Sequence, residues 1–140
     1  MGNLTNFDEK EFNELCKIKN VDSTKLIKWI EKGLDKEKII HYHIGILSPI
    51  ELPTVIMAIM FITNKYIHGF DIRDNNILTH VMHNFDNFAY LGEAVMQNGK
   101  HLYFSTKYGA PAQILLSDIN ERIDKLDEFL RNFRNIVWGE

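Results

Sequence analysis

The residues best suited to chemistry lie together in one segment, which runs from Arg73 to His80 and reads RDNNILTH. An arginine can hold a phosphate through paired hydrogen bonds, and a histidine can move a proton near neutral pH. Seven positions separate the two residues. That spacing is about two helical turns, so both side chains would project from one face of a helix. The pair would suit cleavage of RNA without a metal ion.

This segment resembles the Arg-x(4–6)-His motif of the HEPN ribonucleases, a family of small helical proteins. The resemblance covers eight of the 140 residues. It implies an all-helical fold in which Arg73 and His80 are the catalytic residues. The chain departs from the small members of the family because a long stretch follows His80 before the last predicted helix. The second residue after His80 is also Met82 rather than an aromatic. A ribonuclease is therefore our second hypothesis for the function.

The histidines are also candidate ligands for a metal ion. His80 and His83 are three positions apart, and Asp86 follows one helical turn later. Zinc and iron sites need three or four convergent ligands, and the Glu-x-x-His motif of the di-iron bundles is missing from this sequence. We therefore predict neither a metal site nor a cofactor, and we interpret these histidines as part of a polar surface. The other histidines are His41, His43, His68 and His101.

Composition argues against several classes of protein. The net charge is −3 and no run of Lys or Arg exceeds two residues, so the sequence lacks the basic footprint of a duplex-binding protein. The single cysteine, Cys16, cannot form an intramolecular disulfide, which is typical of a reducing compartment and predicts a cytoplasmic location. The first residues carry no secretory signal. The apolar run over residues 52–62 is too short to span a bilayer.

Apolar periodicity predicts a mainly α-helical bundle of about five helices, in a single helical domain over residues 1–140. The third helix, residues 49–68, begins with the capping pattern of Ser48, Pro49 and Glu51 and is apolar on all sides over residues 55–62. We therefore place it, buried, at the centre of the bundle. The other predicted helices cover residues 7–19, 22–33, 72–97 and 111–137.

Two shorter segments have a different pattern. Residues 39–47 and 101–107 alternate in polarity with a period of two, which indicates strands. They could form a short two-stranded β pair beside the helices. For residues 38–47 a short helix ending before Gly45 is the alternative, and the sequence leaves both open.

The last predicted helix has the most regular pattern in the chain. Its apolar positions step by four and three, and further apolar residues widen this seam to the broad stripe of a bundle helix. Its outward positions are rich in carboxylates, which would complement a basic partner. The predicted partner-binding residues are Asp118, Glu121, Asp124, Asp127 and Glu128.

Taken together, these patterns predict an intracellular protein that binds or inhibits another protein by covering its surface. Immunity proteins, antitoxin-like inhibitors and phage anti-defence factors act in this way. The argument rests partly on elimination, because the sequence has no glycine-rich phosphate loop, nucleophile elbow or paired cysteines. The expected partner is a basic protein, such as a nuclease-like toxin or a defence protein. A homodimer stays open, whereas enzymatic activity, a membrane partner and a duplex nucleic-acid partner are not expected.

Overall fold

The computed structural model describes residues 4–18, 20–49, 56–73, 77–96, 99–107 and 114–139. Within these residues the chain forms one seven-stranded antiparallel sheet, three α-helices and a short 3-10 helix at Phe85–Asn87. The helices are α1 (Glu9–Ile18), α2 (Ser23–Leu34) and α3 (Ile123–Trp138). The strands are β1 (Ile39–Pro49), β2 (Ile56–Thr63), β3 (Ile67–Arg73), β4 (Ile77–His83), β5 (Phe88–Met96), β6 (Gly99–Thr106) and β7 (Ile114–Asp118).

The prediction of a mainly α-helical bundle is therefore wrong. The predicted central helix at 49–68 is replaced by β2 and the start of β3, and the predicted helix at 72–97 by β4 and β5. An unbroken apolar run fits a buried helix, but it equally fits a strand that is covered on both faces. Every residue of β2 from Met57 to Ile62 is at most 7% exposed. Residues 50–55, which include the predicted capping residue Glu51, lie outside the described residues.

The strands lie in the order β4-β3-β2-β1-β7-β6-β5. Both segments that were predicted as a β pair are strands, but β7 lies between them, so β1 and β6 do not pair with each other. β1 pairs with β2 along most of its length. Its pairing with β7 covers only Gly45 to Pro49. Among the described residues, the first half of β1 therefore has a neighbouring strand on one side only.

The two edge strands of the sheet converge at one end. β4 ends at His83 and β5 begins at Phe88, so only the 3-10 helix joins the two edges. A link of this length spans at most about 18 Å, whereas a flat sheet of seven strands would hold its edges about 29 Å apart. The sheet must therefore curl. The rings of His83 and Phe88 lie 5.4 Å apart where the edges approach each other.

Helix α3 lies inside this curl, and α1 and α2 cover the other face of the sheet. Phe129, Leu130 and Phe133 of α3 are buried in a core that also includes residues from β2, β3, β5, β6 and β7. Phe88 of β5 meets Phe133 edge-on, with 5.0 Å between ring centroids. A second core lies between the sheet and the first two helices. Each fully buried large apolar side chain contributes about 1.5–3 kcal/mol to folding.

The helices near the two ends of the chain agree in part with the sequence. α1 and α2 lie within two or so residues of their predicted bounds, and Asp22 caps α2 by accepting a hydrogen bond from the Thr24 N–H. Gly33 does not end α2 as predicted, because Asp35 adopts the left-handed conformation instead. A Cβ at Gly33 would lie 2.9 Å from the Phe70 ring, so this glycine allows α2 to approach the sheet.

The last helix begins later than predicted. α3 starts at Ile123, residues 114–118 form β7, and residues 111–113 lie outside the described residues. Within α3 the predicted seam is correct at Leu126, Leu130 and Phe133, which are all buried. None of the described helices is long and apolar enough to cross a membrane.

Candidate functional site

A groove lies beside the first half of β1, where β7 no longer pairs with it. Its volume is about 230 Å³, and α3 forms one of its walls. We call it the β1–α3 groove. Its lining includes Tyr42 and His43 of β1, Glu11 of α1, Arg122 just before α3, and Lys125, Glu128, Phe129 and Asn132 of α3.

A buried carboxylate lies beside two of the residues that line the groove, His43 and Arg122. β7 ends at Asp118, whose side chain is 1% exposed. Arg122 donates to both of its oxygens, from Nε at 2.8 Å and from Nη2 at 2.9 Å, and the backbone N–H of Asn120 donates at 2.9 Å. Burial alone would raise the pKa of Asp118, but these hydrogen bonds outweigh it and hold that pKa below its usual value. Asp118 is therefore an ionised anchor for the turn into α3.

Arg122 also connects this anchor to α1. Its Nη1 lies 3.3 Å from Oε2 of Glu11, so one guanidinium joins the end of β7 to the first helix. The side chains of Arg122 and Glu11 are 24% and 30% exposed, and both line the groove. Asp118, Arg122 and Glu11 thus connect the end of β7, the turn into α3 and helix α1.

His43 is the buried polar side chain of the groove. The residue is 3% exposed, its ring stacks on Phe129 with 5.3 Å between centroids, and it forms a hydrogen bond with the Ser117 backbone. Its Nε2 atom has no hydrogen-bond partner among the described residues and lies 3.7 Å from Oδ1 of Asp118. Burial lowers the pKa of His43 to about 4, although Asp118 acts in the opposite direction. The ring is therefore neutral at physiological pH and keeps an unused acceptor.

A second polar cluster lies on the opposite face of the sheet, under α2. Oε1 of Glu37 lies 2.9 Å from Nε2 of His68, and Nδ1 of His68 lies 2.8 Å from Nε2 of His80. The Thr63 hydroxyl also donates to Glu37. His68 is fully buried, whereas His80 on the edge strand β4 is exposed. Glu37, His68 and His80 form a continuous hydrogen-bonded network from the interior to the surface.

The His80 ring is also held by packing. It stacks on Phe70 with 4.3 Å between centroids and 3° between planes, and Gly33 of α2 leaves space for both rings. Partial burial lowers the pKa of His80, His68 lowers it further, and Glu37 acts in the opposite direction. His80 is therefore a neutral and well-oriented side chain at the sheet edge.

The two residues of the ribonuclease-like motif do not share a helix. Arg73 is the last residue of β3 and pairs in register with Ile77, whereas His80 pairs with Phe70. The two-turn helical spacing on which the resemblance depended is absent, and the sheet contradicts the all-helical fold that it implied. His80 and His83 are likewise on a strand, where residues three apart point to opposite faces. The helical arrangement considered for a metal site is therefore also absent.

The predicted partner-binding residues lie in different surroundings. Asp118 is buried and bound to Arg122, while Glu121 lies in the turn before α3 with a φ of 59°. Asp124 and Glu128 are exposed on α3 and Asp127 is half-buried. Glu128 alone of these five residues is among the residues that line the groove.

Comparison with known proteins adds the fold and no function. No family model matches this chain, and no curated protein matches it. Among solved structures, the C-terminal domain of an unknown protein from Leishmania infantum is similar, with a TM-score of 0.52 and 12% sequence identity. The match covers 89% of this chain and 95% of that one. At this identity the likeness shows a shared fold alone.

Proposed function

We propose that this chain is a protein-binding module that takes an extended segment of a partner into the β1–α3 groove. The observation that carries the proposal is the half-paired state of β1. β7 pairs with Gly45 to Pro49 only, and the groove lies beside the residues before Gly45. A strand with one free side next to a helix is the arrangement by which several domains bind peptides, through addition of a strand.

The size of the groove favours a peptide segment over a small-molecule ligand. Small-molecule sites typically enclose about 300–1,000 Å³ and are mostly apolar. The β1–α3 groove is smaller, at about 230 Å³, and charged or polar side chains contribute much of its lining. An extended segment could cross such a groove and leave it at both ends.

The polar side chains of the groove supply specificity. A partner donor that reaches the buried Nε2 atom of His43 on binding would gain a hydrogen bond there, because that atom has no partner among the described residues. Glu128 places a carboxylate on the wall, which suits a basic side chain in the segment. A basic partner inside the cell was also the expectation from the sequence. The mechanism would be occlusion of that partner, as in an inhibitor.

Selection from a library of random linear peptides tests this proposal. We expect selected peptides to bind the wild-type chain and to lose at least about tenfold in affinity for Glu128→Lys, which is about 1.4 kcal/mol. Asp124→Lys is the matched control, because Asp124 is on the same helix and is not among the groove residues. Equal loss in both variants would place the binding surface elsewhere.

Backbone methylation of the best peptide tests strand addition itself. Alternate residues of an added strand direct their N–H groups to the edge that they join. We expect N-methylation at one alternating set of peptide residues to abolish binding, and methylation of the other set to leave it nearly unchanged. If neither set matters, or if no peptide is selected, the proposal is wrong.

A further inference from the structure

Strand β4 (Ile77–His83) is an edge strand without the features that usually protect an edge. Its sequence, ILTHVMH, contains no Lys, Arg, Asp, Glu, Pro or Gly. Natural edge strands avoid unwanted pairing through charges, proline, bulges or a covering segment. Four successive residues, Thr79 to Met82, are exposed. Val81 is 37% and Met82 is 48% exposed. In the described parts of the chain, no strand pairs with the outer side of β4.

The other edge of the sheet, β5, is different. It contains Gly92 and the charged residue Glu93, and its pairing with β6 has a register shift between Phe88 and Tyr90. A charge and a bulge are two of the features that discourage pairing with another strand. The unprotected state of β4 is therefore not a general property of the edges of this sheet.

The residues of β4 are arranged nearly symmetrically about His80. If two copies of β4 pair antiparallel around a two-fold axis at His80, Thr79 faces Val81 of the second copy, and Leu78 faces Met82 of the second copy. The Thr79–Val81 pair joins two β-branched residues, which is a favourable cross-strand combination. This register places the exposed residues Thr79 to Met82 within the contact.

We propose that β4 pairs with β4 of a second copy of this chain, so that the two seven-stranded sheets continue as one. A two-fold contact of this kind uses the same surface on both copies and therefore closes at two. The composition of the strand favours a second copy over a foreign strand, because β4 carries no charged Lys, Arg, Asp or Glu that would select a complementary partner.

The hydrogen-bonded network of Glu37, His68 and His80 orders His80, the central residue of β4, before this contact forms. His80 is already fixed by its stacking on Phe70 and by its hydrogen bond to His68. A side chain that is ordered before association loses less freedom when it binds. The interface is nevertheless short, and interfaces below about 1,200 Å² are usually transient. The dimer should therefore dissociate on dilution.

Sedimentation analysis over a wide range of concentrations tests the dimer. We expect the wild type to shift from monomer to dimer as concentration rises, and Val81→Lys to stay monomeric throughout. Val95→Lys is the matched control on β5, since Val95 is 86% exposed at the other edge. A wild type that is monomeric at every concentration would overturn the proposal. So would a Val81→Lys variant that dimerises like the wild type, or a Val95→Lys variant that does not dimerise.

A cysteine scan tests the register and separates a second copy from a foreign strand. Opposed residues of an antiparallel pair have Cα atoms about 4.5–5.5 Å apart, within reach of a disulfide. We expect His80→Cys to form a cross-linked dimer on mild oxidation. Met82→Cys should not, because the two copies of residue 82 would be about 13 Å apart along the strands. The natural Cys16 is fully buried and should not interfere. Cross-linking at 82 rather than 80, or at neither position, would overturn the two-fold register.

Discussion

Two polar clusters are buried on opposite faces of one sheet, and they differ in how completely their atoms are paired. In the cluster under α2, both ring nitrogens of His68 have partners, Glu37 on one side and His80 on the other. In the cluster under α3, Asp118 accepts from Arg122 and from the backbone, but Nε2 of the adjacent His43 has no partner among the described residues. Both histidines are at most 3% exposed, so burial alone does not explain the difference.

The contrast suggests different roles for the two clusters. A satisfied network fixes the elements that it joins, and here it joins the loop after α2 to β3 and to the edge strand β4. An unpaired acceptor is a cost to the folded state that a ligand donor can remove. The first cluster is therefore expected to act through the structure of β4, and the second through binding in the β1–α3 groove.

The largest loss of unfolding free energy is expected when the Arg122 guanidinium is removed. Arg122→Met leaves Asp118 buried with only backbone donors, and breaking a buried ion pair in this way costs about 3 kcal/mol of unfolding free energy. Urea denaturation would measure it. Glu11→Gln is the control, because Glu11 meets the exposed end of Arg122, where an ion pair contributes about 1 kcal/mol or less. Similar losses in both variants would mean that Asp118 is not the costly partner.

The second-largest loss of stability is expected in the cluster of Glu37, His68 and His80, in which both ring nitrogens of His68 have partners. His68→Phe removes both hydrogen bonds of the buried ring and leaves Glu37 short of a partner, with an expected cost of about 2–3 kcal/mol. Adding Glu37→Leu should recover part of that loss, because replacing both partners with apolar groups removes the unpaired charge. A double-mutant cycle from denaturation data gives the coupling between them. Strictly additive effects would show that the two side chains do not depend on each other.

The sequence predicted the local features of this fold much better than its long-range pairing. Asp22 as the cap of α2 and the buried seam of Leu126, Leu130 and Phe133 follow from spacing within one helix. The strand β2 could not be distinguished from a buried helix, because both of its faces are apolar and the period of two disappears. Only pairing with β1 and β3, which is not visible in one sequence, determines the outcome.

The same limit applies to the candidate site. His43 and Asp118 are brought together by the pairing of β1 with β7, and Glu37 meets His68 across 31 positions of sequence. No local spacing indicates either contact. His80 was singled out from its distance to Arg73, but its described partners are His68 and Phe70. Alternation within β1 was the one available signal, since it places His41 and His43 on the same face.

The third expected effect is a pH dependence of stability that comes from His43, in the cluster under α3. The pKa of His43 falls from 6.5 to about 4 on folding, so between these values the unfolded chain binds the proton more readily. Stability is therefore complete above pH 6.5 and is lost as the pH falls, by about 2 kcal/mol at pH 5. His43→Phe keeps a ring against Phe129 and should remove this part of the acid sensitivity in denaturation curves. A variant with the full wild-type slope would assign that sensitivity to other groups.

The smallest effect should come from the exposed end of the paired cluster. His80→Ala removes one hydrogen bond to His68 and the stacking on Phe70, but His68 keeps Glu37 and the site is open to water. The expected cost is about 1 kcal/mol, well below that of His68→Phe. His80 is the exposed residue of the hydrogen-bonded network and His68 is the buried one. The ratio of the two losses in unfolding free energy therefore shows how much of the network's stability comes from the buried residue. A loss as large for His80→Ala as for His68→Phe would mean that β4 itself depends on this contact, and the paired cluster would then act on the edge strand more strongly than its geometry indicates.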